Sequence, residues 1–339
     1  MIRIVRVVRN IEFTRLFDSF FITAITTILL VRAYLKLTGY PQIGNSTLHI
    51  SHLLPGTILM LAAVLILLAA LNRAARSFAA VLAGVGFGLV WDELGKFITK
   101  NNNYFFHATP GLIYLTFVIL YLIVRYSAQR RLTPNDYMAN VLDVLKDASI
   151  KELDDHEYYR AKELLSHVPA SHTLYQPTKA MLEKVKPIAN KRPSLPTKII
   201  ETIKWPLLTL SRKAFFRRLV VTIALLYGLV SIGAAVFFFA GVALPHSQQL
   251  TAFLRGYESD LLGGASAAVS AISIVYAAYK YLSRQIGRAY KLFEFGLLVN
   301  IFIGQVVLFF KSQDIALVWL AVTLFLLVNL ELLANEPAK

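Results

Sequence analysis

A chain of 339 residues in which 56% of side chains are hydrophobic and only 16% are charged carries more apolar surface than one water-soluble core of that length can hide. Cysteine is absent, which excludes disulfides, thiolate metal sites and a cysteine nucleophile, so any metal would take N and O ligands. The net charge of +15 fits basic residues held at the inner face of a membrane, and no nucleic-acid partner is expected.

A bilayer core of about 30 Å takes about 20 apolar residues of helix. Runs of that kind lie near residues 17–38, 50–71, 76–98, 107–126, 218–241, 259–281, 286–310 and 314–334. Ahead of the first run, Arg3, Arg6 and Arg9 recur at helical spacing among Ile and Val. Residues 1–16 therefore read as a basic amphipathic helix on the inner leaflet, not as a cleavable signal. Lys and Arg gather at the start, after the second run (Arg73, Arg76), in the long gap after the fourth, and after the sixth (Lys280, Arg284, Arg288). The gaps between hold only Lys100, Arg255 and Lys311. An even number of spans with this alternation places both termini in the cytoplasm. The expected partners are the bilayer itself and the anionic headgroups of its cytoplasmic leaflet.

Shifting the chain by 208 residues lays the first four runs over the last four: Gly56 falls on Gly264, Arg76 on Arg284, Phe87-Gly88-Leu89 on Phe295-Gly296-Leu297 and Phe117 on Phe325. The expected fold is thus all-α, with eight transmembrane helices as two parallel four-helix repeats, residues 17–126 and 217–335. Between them, residues 127–216 form a cytoplasmic insert. Thr133-Pro134-Asn135-Asp136 supplies an N-cap, a proline at the first helical position and an acid at the third, followed by Met138, Val141, Leu142 and Leu145 at helical spacing. Further amphipathic stretches near 151–167 and 175–186 complete a small helical module, Pro187, Pro193 and Pro196 mark a linker, and residues 197–213 read as an interfacial helix. Such a module serves as a structural spacer or docks a protein partner.

The third run holds the sharpest local pattern, in which Gly84, Gly88, Asp92 and Lys96 fall four apart and share one helix face. Glycines there permit close helix approach. Asp92 and Glu93 lie in the outer part of the span, where an unpaired charge is costly, so they face protein, water or a cation. The ordinary reading is an Asp92–Lys96 pair within one helix. Topology brings His49 and His52, at the start of the second run, and His107, at the start of the fourth, to the same side. With Asp92 they make a candidate N/O ligand set for a divalent transition metal. Boundary histidines that ligate nothing are the plain alternative. Lys96 and Asn103 would border this outer polar pocket. In the second half the shift replaces Asp92 by Asn300, Glu93 by Ile301, Lys96 by Gly304 and His52 by Asp260, so any reactive site belongs to the first half. Glu294 is a separate acid in the seventh run, with Arg288 and Lys291 near enough in sequence to neutralise it.

The block Asp92-Glu93-Leu94-Gly95-Lys96-Phe97, the Asn-rich loop with Tyr104 and Phe105, and the Thr133–Tyr137 helix start resemble a set of bacterial multi-pass membrane proteins that have no assigned activity. The likeness covers about residues 80–150 and implies a bacterial inner-membrane location without transferring a catalytic role. Membrane hydrolases of the ceramidase and adiponectin-receptor type are similar in span number, but no histidine follows His246 here, so their late paired histidines are missing. The leading functional expectation is a transporter-like or scaffold-like bundle whose outer pocket binds a cation or proton. The alternatives are a membrane-embedded metal-dependent hydrolase with Glu93 as general base, and a sensor or assembly factor acting through the insert.

Overall fold

The computed structural model describes residues 8–39, 51–101, 103–104, 106–149, 153–188, 214–243 and 261–334. Regular structure among them is helical, apart from an isolated parallel bridge between Asp154 and Ile188. Among the described residues, seven helical stretches are long and apolar enough to cross a membrane. They are α1 (Phe13–Thr38), α3 (Arg73–Asp92), α5 (Thr109–Ala128), α9 (Ala214–Ala243), α10 (Leu261–Leu282), the continuous run Ile286–Lys311 and α13 (Gln313–Ala334). This is the make-up of a multi-pass membrane protein. The second expected span is shorter than its apolar run: α2 (Leu53–Ala69) has 17 residues, because His52 ends the preceding turn and Ala70 is extended. Eight spans are therefore not reached by length alone.

The expected amphipathic helix over residues 1–16 also differs. Residues 1–7 lie outside the described residues, and within residues 8–16 helix begins at Phe13. The backbone ahead of it is held by other partners: the Arg9 guanidinium donates to the Ala128 carbonyl at 2.7 Å, the Ile11 N–H donates to Asn140 at 2.9 Å, and Asn140 donates back to the Arg9 carbonyl at 2.7 Å.

The chain divides into two compact units, Met1–Phe106 with Ile119–Pro193, and His107–Val118 with Ser194–Lys339. In the first unit α3 packs along both α1 and α2. Alternate glycines of α3 allow it. A Cβ on Gly84 would sit 2.4 Å from the Phe20 carbonyl oxygen and one on Gly88 2.6 Å from that of Ala24, both on α1. Gly86 faces the other way, against the backbone of Gly56 on α2. Backbones this close exclude any larger residue and carry the helix contact by packing in place of a hydrophobic drive that lipid cannot provide.

Among the described residues the insert holds three helices, near the amphipathic stretches read from the sequence. Helices α6 (Pro134–Asp147) and α7 (Asp155–Ser166) each start on a capping box, Thr133 with Asp136 and Asp154 with Glu157. With α8 (Tyr175–Lys184) they bury Met138, Val141, Leu145, Leu153, Leu165 and Leu182, each full burial worth about 1.5–3 kcal/mol. The expected interfacial helix at 197–213 and the prolines at 193 and 196 lie outside the described residues.

In the second unit α10 packs against α9 and against α11 (Ile286–Val299), and α11 packs against α13. Tyr227, Ile274, Phe293, Leu297 and Leu326 form its core. The run Ile286–Lys311 is interrupted by a π turn at Asn300–Gly304 before α12 (Gln305–Lys311). Such a turn lets a main-chain carbonyl seek an outside donor, and the Tyr114 hydroxyl donates to the Ile301 carbonyl at 2.9 Å. The order of packing differs between the units: the third helix is central in one, whereas α10, the counterpart of α2 under the 208-residue shift, joins α9 to α11 in the other.

Candidate functional site

Helix α3 ends at Asp92, since Glu93 leaves helical geometry (φ −87°, ψ 8°) before the short α4 (Leu94–Ile98). The Gly84–Gly88–Asp92 stripe faces α1, so Asp92 meets the last turns of that helix. Its carboxylate is fully buried. Arg32 Nε donates to Asp92 Oδ1 at 2.6 Å, the Tyr104 hydroxyl donates to Oδ2 at 2.7 Å, and His52 Nε2 lies 3.2 Å from Oδ2. Glu93 is also buried. It accepts from Lys96 Nζ at 3.2 Å and from the Ser51 hydroxyl, and His52 Nδ1 stands 2.9 Å from its Oε1.

His52 therefore has a carboxylate oxygen at each ring nitrogen. A neutral imidazole donates through one nitrogen only, so satisfying both contacts requires the doubly protonated cation. The cluster then sets Arg32, Lys96 and His52 against Asp92 and Glu93. Two buried anions are tolerable because each is bonded by several donors. The cationic side chains remain 19%, 26% and 24% exposed, so the cluster opens toward solvent on its cationic rim. The Tyr104 ring closes one flank, edge-on to the His52 ring and 5.6 Å below Lys96 Nζ.

Of the residues singled out in the sequence, the fold brings His52, Asp92, Glu93 and Lys96 together. The pairing is not the expected one. With the helix broken after Asp92, Lys96 reaches Glu93, and Asp92 takes its cation from α1. Arg32 was not foreseen, although an Arg inside an apolar run is itself a costly feature that marks a site; Ser51 and Tyr104 became visible only through the fold. Among the described residues, no group of three or more His, Asp or Glu side chains is placed to hold a metal ion. The carboxylate oxygens that would ligate it are turned toward Arg32, Lys96, Tyr104 and Ser51. His49 lies outside the described residues. His107 is exposed in the turn before α5 and belongs to the other compact unit. Asn103 uses its backbone N–H to bond Thr99 Oγ1 at 2.7 Å. Asn300 stands in the π turn with its Oδ1 buried and without a hydrogen-bond partner. Glu294 is exposed, and neither expected partner pairs with it among the described residues; Arg288 instead donates to Gln285 at 3.2 Å.

The other end of α3 carries a second ionic cluster, which ties the insert to the membrane helices. Glu12, at the start of α1 and 4% exposed, accepts from Arg73 of α3, from Arg160 of α7 at 3.0 Å and from Arg15 at 3.3 Å. Burial alone would raise the Glu12 carboxyl; the Arg73 hydrogen bond and charge, with those of Arg15 and Arg160, outweigh it and hold the group below its ordinary 4.5. Beside it Arg76 of α3 grips Asp143 of α6, with one contact at 3.1 Å, and Lys146 joins the same carboxylate at 2.7 Å. Burial opposes the charge on Asp143 too, and the two cations again prevail, lowering it from 3.8.

Comparison with known protein families, with curated proteins and with solved structures finds no match for this chain.

Proposed function

We propose that the protein is a proton-responsive membrane bundle, scaffold-like in build, in which His52 takes up and releases a proton between Asp92 and Glu93. One observation carries this reading: both ring nitrogens of a histidine that is about one quarter exposed face buried carboxylates contributed by a different helix end. Protonated, His52 ties the start of α2 to the end of α3; deprotonated, it can satisfy only one of the two. A cation other than the proton is less well served, because Arg32 and Lys96 already neutralise the carboxylates. The hydrolase alternative needs a ligand set that the described residues do not assemble. Glu93, its general base, is fully engaged by His52, Lys96 and Ser51.

In this reading α2 is an eighth span, both termini face the cytoplasm, and the cluster lies at the outer surface of a bacterial inner membrane. The distribution of Lys and Arg supports that orientation. The repeat rests on the residues that coincide under the 208-residue shift, Gly56 on Gly264, Arg76 on Arg284 and Phe87-Gly88-Leu89 on Phe295-Gly296-Leu297. A sensor version gains support from the second cluster: α1 and α3 supply Arg32 and Asp92 at one end and Glu12 and Arg73 at the other, where the insert is gripped.

Hydrogen exchange of the full-length protein in vesicles, corrected for intrinsic rates, tests the proposal. Amides of residues 51–60 are expected to lose protection as His52 deprotonates at alkaline pH in the wild type and to show no such step in His52→Gln. A wild type without the step overturns it. Proton entry into dye-loaded vesicles separates the transport version, which is removed if flux is unchanged by Asp92→Asn combined with Glu93→Gln.

A further inference from the structure

The faces of α9 and α10 leave a groove of about 840 Å³ between them, lined by apolar side chains, a size within the range of about 300–1,000 Å³ usual for small-molecule sites. On α10 the lining residues fall on a single helical stripe, Ala268, Ala271, Val275 and Tyr279, and on α9 Val236 and Phe239 face them. The alanines make the wall concave. From Ala268 to Tyr279 the groove follows about 17 Å of helix at about 1.5 Å per residue, close to one leaflet of a hydrocarbon core about 30 Å thick. Its end is marked by charge. Lys280 Nζ stands 5.2 Å above the Tyr276 ring and 5.5 Å above the Tyr279 ring, and both rings border the groove. Among the described residues no carboxylate pairs with Lys280. Arg284 and Arg288, both exposed, follow within the next turns of chain.

We propose that this groove holds one acyl chain of an anionic glycerophospholipid from the surrounding leaflet, with the phosphate at Lys280. The one-leaflet length selects a bilayer lipid over a soluble apolar ligand, and the cation at the mouth selects an anionic headgroup over a zwitterionic one. The paired tyrosines supply the amphipathic surface at which such headgroups settle.

The full-length protein, extracted from vesicles of equal phosphatidylglycerol and phosphatidylcholine, is examined by native mass spectrometry. The wild type is expected to retain one phosphatidylglycerol with a preference of about fivefold over phosphatidylcholine, the effect of one basic residue at a membrane surface. Lys280→Gln, a partly exposed change at a helix end, is expected to bring that preference to about even. Ala268→Trp, which fills the groove floor, is expected to lose both lipids while the unfolding temperature stays near that of the wild type. Retention of no lipid by the wild type, an equal preference already in the wild type, or a dimer that Ala268→Trp dissociates would each overturn the proposal, the last by assigning the groove to a second copy of the chain. If Ala268→Trp fails to fold, the Lys280→Gln result decides alone.

Discussion

Each end of α3 carries an ionic cluster built on two acids, and the two clusters differ in design. At its start, Glu12 and Asp143 are acids surrounded by arginine and lysine, groups that keep their charge across the whole physiological range. At its end, Asp92 and Glu93 share a histidine, the side chain whose charge changes most readily near neutrality. The same helix, about 30 Å long at about 1.5 Å per residue, therefore joins a fixed clamp to a titratable one. The glycine stripe between them makes the connection stiff, since it brings α3 against α1 at backbone distance.

The largest expected effect breaks the fixed end. Glu12→Ala leaves Arg73 nearly buried with its main counter-charge gone, and removing one partner of a buried pair costs about 3–5 kcal/mol. Thermal unfolding in detergent should show the loss, and limited proteolysis should cut between α1 and α6 that the wild type protects. Acid reproduces this in part. Because the folded-state values of Glu12 and Asp143 are lowered, their contribution is complete above their ordinary 4.5 and 3.8 and disappears as pH falls through the folded values. Stability of the insert's attachment is thus predicted to hold from neutral pH to about 5 and to fall below about 4, whereas Glu12→Ala should lose most of that acid dependence.

The connection between the ends is sharpened by Gly84→Ala. Its new Cβ would lie 2.0 Å from Thr23 Oγ1 and 2.4 Å from the Phe20 carbonyl, an overpacking that costs about 1–3 kcal/mol. Distances between spin labels on α1 and α3 should lengthen at both ends, not only near residue 84. Asp143→Asn gives the smallest effect. The Arg76 and Asp143 side chains are 22% and 26% exposed, so solvent screening leaves a contribution of about 0–1 kcal/mol, to be read in the same unfolding assay. A loss as large as that of Glu12→Ala would show that the two acids act as one network.

The sequence disclosed the parts of the molecule governed by local chemistry. Apolar length marked the seven helical stretches that are long enough to cross a membrane, and the Thr133 and Asp136 pair marked α6 to the residue because a capping box is written in four consecutive positions. Half of the cluster was legible as well. The spacing of Gly84, Gly88 and Asp92 pointed to one packed face, and an acid at that position demanded a partner. The partner was not legible, because an arginine on another helix has no fixed sequence offset from the acid it neutralises. The break after Asp92 was hidden for a related reason: Leu94, Gly95, Lys96 and Phe97 are compatible with continued helix, and the turn is set by Glu93 reaching Ser51 and His52. Arg9 misled in the opposite direction. Its spacing with Arg3 and Arg6 suggested a lipid-facing helix, yet its guanidinium bonds the carbonyl of Ala128 at the end of α5 and that of Arg130 just beyond it, a contact that depends on chain more than a hundred residues away.

The most direct test of the titratable end is the ring nitrogen spectrum of ¹⁵N-labelled histidine in the full-length protein in bilayers at pH 7, with His52→Gln assigning the signal. Both nitrogens of His52 are predicted to carry protons in the wild type, and one of them to lose its proton when Asp92→Asn and Glu93→Gln are combined. A wild-type His52 with a single protonated nitrogen at that pH would contradict the account.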